Sequence, residues 1–120
     1  ELEPALEIDA ALPLHRVNEP AYALLRQVHP CGAHNPEPLL LARDVEVREH
    51  WATGSEQKHL RLGLRDGRGI TWQGMFFRHG HLADLVPERA DVVYSLEMNE
   101  WNGEKRLRLL VHDLRPAQPA

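Results

Sequence analysis

From Leu39 onward the chain repeatedly sets apolar residues at every second position and breaks the runs with glycine turns. Successive side chains of a strand point to opposite faces, so this period confines the region to half-buried β-strands. The clearest run is Lys58 to Arg65: Leu60, Leu62 and Leu64 share one face, and His59, Arg61, Gly63 and Arg65 share the other. The leucines are expected to form core. Four more strands follow the same logic. Leu39 to about Glu49 alternates Val45 and Val47 with Asp44, Glu46 and Arg48, Ile70 to Phe77 follows, and Asp91 to Met98 aligns Val92, Tyr94, Leu96 and Met98. Arg106 to Leu114 turns Leu107, Leu109 and Val111 inward and Arg106, Arg108 and His112 outward. Turns are expected at Ala52-Thr53-Gly54-Ser55, at Asp66-Gly67-Arg68-Gly69 and at Asn102-Gly103, where glycine supplies positive φ. Helical spacing occurs at Gly80 to Leu85, through Leu82, Leu85 and Val86, and Pro87 stops it.

The order β-β-β-α-β-β predicts an all-β domain with short helices, a five-stranded OB-fold Greek-key barrel whose second and third strands commonly face an oligonucleotide. A five-stranded sheet packed differently is the alternative. At 120 residues there is room for one domain. Six of the nine prolines fall within the first 38 residues and seven of the eight glycines after residue 50, which divides the chain near Pro36-Glu37-Pro38. Residues 1–35 read as an extended connector with a short helix from Glu19 to Val28, residues 36–116 as the barrel and 117–120 as a tail. The helix carries Pro20 in its first turn and apolar Tyr22, Leu24, Leu25 and Val28 for a neighbour to cover. The opening Glu-Leu-Glu-Pro, without an initiator Met, reads as the middle of a longer protein. The one cysteine, Cys31, cannot form an internal disulfide, and apolar runs such as Leu39 to Ala42 are far below the ~20 residues of a membrane span. A cytoplasmic monomer that does not enter a membrane is the expectation.

Net charge is −4, yet the segment Lys58 to Arg78 carries Lys58, Arg61, Arg65, Arg68 and Arg78 against Asp66 alone. Concentrated on the second and third strands, these cations could track phosphates, although a solvated sheet face explains charge equally well. Aromatic residues add to the first reading. With Met75 and Phe77 inward, Trp72, Gly74 and Phe76 would share the outer face, two rings beside a glycine on which a base could lie. Stacking of that kind contributes roughly 1–3 kcal/mol per base; a core Trp72 is the competing expectation. Trp51 and Trp101 fall at strand or loop ends, where a ring stacks a base or caps the barrel, and Lys105 and Arg106 extend the basic character past the Asn-Gly turn. The candidate contacts are therefore Lys58, His59, Arg61, Arg65, Trp72, Phe76, Arg78, Trp101, Lys105 and Arg106. His29, Cys31 and His34 lack the fourth ligand and the spacing of a zinc site, and His79, His81 and His112 read as surface residues. No nucleophile, P-loop or metal-hydrolase motif is present, so neither catalytic residues nor a cofactor are expected within these residues.

These residues also carry a resemblance. Cys31-Gly32-Ala33-His34-Asn35-Pro36-Glu37-Pro38 is similar to the PFGxGNPEP stretch preceding the terminal barrel in the RecJ family of bacterial single-strand-specific 5′→3′ DNA exonucleases. His59-Leu60-Arg61-Leu62 with Leu64-Arg65-Asp66-Gly67, then Gly80-His81-Leu82-Ala83-Asp84-Leu85, resemble further stretches of that family in order. The most specific is Leu96-Glu97-Met98-Asn99-Glu100-Trp101-Asn102-Gly103, continued by Leu107 to Arg115. Cys31 and His34 depart from the usual Phe and Gly, and Trp72, Gln73 and Phe76 depart in the third strand, so the stacking assignment comes from the residues and not from the family. The resemblance implies a connector from a DHHA1-type domain followed by an OB-fold domain that adds single-strand grip. It places the Mn2+ or Mg2+ site in a DHH domain outside this sequence, so no catalytic residue carries over. The implied partners are single-stranded DNA, the catalytic domains of the same parent chain and single-stranded-DNA-binding protein, in DNA repair and recombination. The alternative is a docking or structural barrel that closes the nuclease ring without touching DNA.

Overall fold

The leucine face is buried as its alternation requires: Leu60, Leu62 and Leu64 are at most 1% exposed, with Leu40, Val45, Val92, Tyr94 and Leu109 packed among them. The computed structural model describes residues 7–28, 37–67 and 69–118. The His29–Cys31–His34 loop, the start of the first resembling stretch and Arg68 lie outside the described residues. Six strands are present: β1 (Ala10–Ala11), β2 (Leu40–Thr53), β3 (His59–Arg65), β4 (Trp72–Phe76), β5 (Arg89–Trp101) and β6 (Glu104–Pro116). They form one sheet in the order β1-β2-β3-β4-β6-β5, and β2 pairs with β5 as well. That last pairing closes β2 to β6 into a ring of five strands, the OB-fold arrangement expected from the order of elements.

Closure depends on β2 serving two neighbours. Its first half runs antiparallel to β5 and its second half antiparallel to β3. Register shifts fall between Ala42 and Val45, where Asp44 has φ 56°, and between Val47 and Glu49. Each extra residue bends the strand, which is how one strand turns the corner of a barrel. β4 runs parallel to β6, and β5 and β6 form a long ribbon whose ladder continues to Trp101 and Glu104 around Asn102-Gly103.

The proline-rich front contributes to the core. Leu14 and Val17 are buried in the main cluster, and the Tyr94 hydroxyl donates to the Leu12 carbonyl at 2.6 Å. The Asp66 carboxylate accepts from the His15 amide at 2.7 Å and lies 2.6 Å from His15 Nδ1, which fixes this segment at the end of the barrel where β3 turns into β4. Helix α1 (Glu19–Val28) begins as expected, with Asn18 Oδ1 accepting from the Ala21 amide at 2.8 Å. Its Tyr22 and Leu25 pack on the core, while Leu24 and Val28 remain exposed. No helix among the described residues is long and apolar enough to cross a membrane.

The helix expected over Gly80 to Leu85 is reduced to a single 3-10 turn, Gly80–Leu82, followed by a further turn. The segment is clamped at its start. The Gly80 amide donates to the Lys58 carbonyl at 2.8 Å, and the His50 ring is 2.7 Å from the Ala83 carbonyl. With Pro87 close behind, too few residues remain for an α-helical ladder. Leu82, Ala83 and Val86 nevertheless pack against the core.

Candidate nucleic-acid interface

The outer face of β3 and β4 is defined by register, because directly opposed residues point to the same side. Leu64, Leu62 and Leu60 stand opposite Trp72, Gly74 and Phe76, so these three face the core. This reverses the expected facing of β4. Phe76 is 6% exposed and stacks on the His79 ring at 3.8 Å, and half-buried Trp72 packs against the core. A Cβ on Gly74 would meet Val111 and Leu64 at 3.4 and 3.5 Å, so the gap beside it is filled by core side chains. Trp72 and Phe76 are thus withdrawn as stacking residues.

The exposed rings on this side are instead Trp51 and Phe77, at 43% and 44%. Trp51 stands opposite Arg61, and Arg61 stands opposite Met75, so the three form a row across β2, β3 and β4. The Arg61 guanidinium lies 6.0 Å from the Trp51 ring centroid and donates to Gln73 Oε1 at 3.2 Å. No acidic group neutralises it among the described residues. Phe77, just past the end of β4, packs T-shaped against the His59 ring, with centroids 5.1 Å apart and an interplanar angle of 79°. Arg108 of β6 places its guanidinium 5.9 Å from the Phe77 ring while its Nε donates to Glu97 Oε1 at 2.6 Å. The result is two half-exposed rings, each with an arginine beside it.

The expected cations divide by their partners. Arg65 is half-buried and donates to Glu46 Oε1 at 3.1 Å, Lys58 lies 3.8 Å from Glu56, and Arg106 lies 3.2 Å from Glu104. The Arg65 Nε is buried without a hydrogen-bond partner among the described residues. Arg61, Arg78 and Lys105 have no acidic partner among the described residues. Arg78 lines an open groove of about 1160 Å³ with Trp51, Lys58, His59 and His81, bounded by the β2–β3 loop and the turn at Gly80. Trp101 lies far along the sheet from this groove, 73% exposed at the tip of the β5–β6 ribbon, with Lys105 and Arg106 behind it. The structure therefore brings Lys58, His59, Arg61 and Arg78 together and leaves Trp101, Lys105 and Arg106 as a second exposed group. No group of three or more His, Cys, Asp or Glu side chains is placed to hold a metal ion among the described residues.

A closed five-stranded barrel with a bulged first strand, a parallel contact between β4 and β6 and an aromatic-basic outer face defines an OB-fold domain. The chain belongs to the RecJ OB domain family, whose model matches residues 8–113. It is 24% identical over 112 residues to the single-stranded-DNA-specific exonuclease RecJ of Bacillus subtilis (strain 168), in an alignment covering 92% of this chain and 14% of that protein. Two crystal structures of RecJ from Thermus thermophilus, in complex with Mg2+ and with Mn2+, match with TM-scores of 0.61 and 0.62 at 28% and 27% identity. The matches cover 82% and 93% of this chain but only 15% and 16% of the Thermus chains.

Proposed function

We propose that this barrel grips single-stranded DNA for a RecJ-type exonuclease and contributes binding rather than chemistry. The observation that carries the reading is the pair of half-exposed rings, Trp51 beside Arg61 in one row of the sheet and Phe77 beside His59 just past β4, with Arg61 unneutralised by any described acid. Flat rings accept any base, and a base paired in duplex cannot lie on them, which gives grip without sequence preference. Arg61 and Arg78 add phosphate contacts, each of which releases counterions and makes affinity fall with salt. The parent chain's other domains are the partner expected for α1, whose Leu24 and Val28 are exposed, and any hydrolytic metal site would belong to those domains.

Titration of the chain with short labelled single strands at two salt concentrations tests the reading. Trp51→Ala and Phe77→Ala should each weaken binding by about 1–3 kcal/mol while the salt slope and melting temperature hold. Arg61→Ala should lower the salt slope by about one unit. Arg65→Ala should change it less, since Glu46 already occupies that guanidinium. Trp72→Ala should act on folding instead. Salt-insensitive binding, or equal affinity for duplex, would favour a docking barrel.

A further inference from the structure

We propose that His59 is the positioning residue of this face: its Nδ1 accepts the Arg78 amide and thereby presents Phe77 and the Arg78 guanidinium to one strand. The inference rests on the single-strand reading and concerns how that site is held in shape. Leu60 and Phe76 form the last ladder pair of β3 and β4. Beyond it β4 curls away, with the His79 amide donating to the Phe76 carbonyl at 3.3 Å and Arg78 in the left-handed region at φ 69°. A non-glycine residue holds that conformation only where its surroundings fix it.

The His59 ring supplies the constraint. Its Nδ1 accepts from the Arg78 amide at 3.0 Å, standing in for the ladder bond that β4 gives up. It packs T-shaped with Phe77, the ring centroids 5.1 Å apart. On another side it packs against Gly54, where an added Cβ would lie 2.9 Å from His59 Cδ2. One ring thus joins the β2–β3 loop to the turn after β4. An acceptor at Nδ1 requires the neutral tautomer with its proton on Nε2. The aromatic and the cation are then presented in a fixed relation, so little ordering remains for the strand to impose on binding.

Two measurements on this chain test the assignment. Imidazole 15N shifts at pH 8 should show His59 as the Nε2–H tautomer, and the Arg78 amide should be protected from solvent exchange. His59→Phe keeps a ring but removes the acceptor; it should expose the Arg78 amide and weaken oligothymidylate binding about threefold to tenfold through faster release, with the salt slope unchanged. His59→Asn, whose Oδ1 replaces Nδ1, should restore both. A proton on Nδ1 in the wild type overturns the assignment without recourse to any variant. Unaltered binding by His59→Phe, or a loss that His59→Asn does not restore, overturns the presentation role alone. Failure of the wild type to bind oligothymidylate, with the Arg78 amide protected, overturns the single-strand reading and the presentation role with it.

Discussion

His112 shows what a correct periodic reading still leaves out, namely the contact that an outward residue makes. Alternation along β6 turns it outward, and it is exposed, but the register slips between Val93 and Tyr94 at this residue, and the ring meets the fully buried Ser95 at 2.9 Å through Nε2. An extra residue in a ladder changes parity, and nothing in the local pattern announces it. Burial pushes the His112 pKa down, and nearby Glu37 opposes the shift only in part. An unfolded chain takes up the proton first as pH falls through the ordinary histidine range near ~6.5. Stability linked to this group is therefore complete above that range and is lost as pH falls toward the depressed native pKa. His112→Gln keeps a polar partner for Ser95 and removes the titration. Melting temperatures from pH 8 to pH 5.5 should consequently fall less steeply in the variant, and parallel profiles would show that His112 does not carry the effect. His59 was legible as an outward residue of β3, whereas its bond to the Arg78 amide depends on a turn that the sequence does not specify.

Elements were legible where turn chemistry agreed with alternation. Asn102-Gly103 adopts φ 52° and 80°, the two positive values required by a two-residue hairpin, and β5 and β6 flank it directly. β4 was ambiguous because both its faces are apolar: Trp72 and Phe76 on one, Met75 and the adjoining Phe77 on the other. Only pairing with the leucines of β3 settles which set is buried, and a shift of one residue would exchange them. Reading that register first would have turned Phe77 outward, onto the side of the sheet where Arg61 stands beside Trp51. The helix expected between β4 and β5 forms only as the 3-10 turn Gly80–Leu82, because its leucine spacing serves to cap a barrel end. Gly80 is the residue that permits this, since a Cβ there would lie 2.0 Å from the Gln57 carbonyl oxygen and 2.8 Å from the Lys58 carbonyl carbon. Those are backbone atoms and cannot swing aside. Gly80→Ala should separate the β2–β3 loop from the turn, cost about 1–3 kcal/mol in denaturant unfolding, and weaken strand binding through the displaced Lys58 and Arg78. Retention of both stability and affinity would mean that the contact relaxes without disturbing the groove.

At the scale of the whole molecule, the barrel was readable because five alternating runs, their turns and their order all indicate one closed sheet. The front segment was not. Leu14 and Val17 are isolated apolar residues in a stretch spaced by Pro4, Pro13 and Pro20, without the period of a helix or strand. Only the closed barrel provides the cavity they enter. There Leu14 is 1% exposed, and the flanking backbone is bound on three sides, through Leu12 to Tyr94 and Leu41 and through His15 to Asp66. Such a segment should unfold with the barrel and not before it. Removing the Leu14 side chain beyond Cβ leaves a cavity in the main cluster, so Leu14→Ala should cost about 2–5 kcal/mol, a large share of the roughly 5–15 kcal/mol that stabilises a domain. Near-ultraviolet and far-ultraviolet circular dichroism should then report one coincident transition at a lower temperature. Strand affinity measured well below that transition should match the wild type, because Leu14 enters the barrel at the end opposite the Arg78 groove. An early transition confined to the front segment, or a melting temperature unchanged by Leu14→Ala, would show instead that residues before α1 are dispensable to the fold.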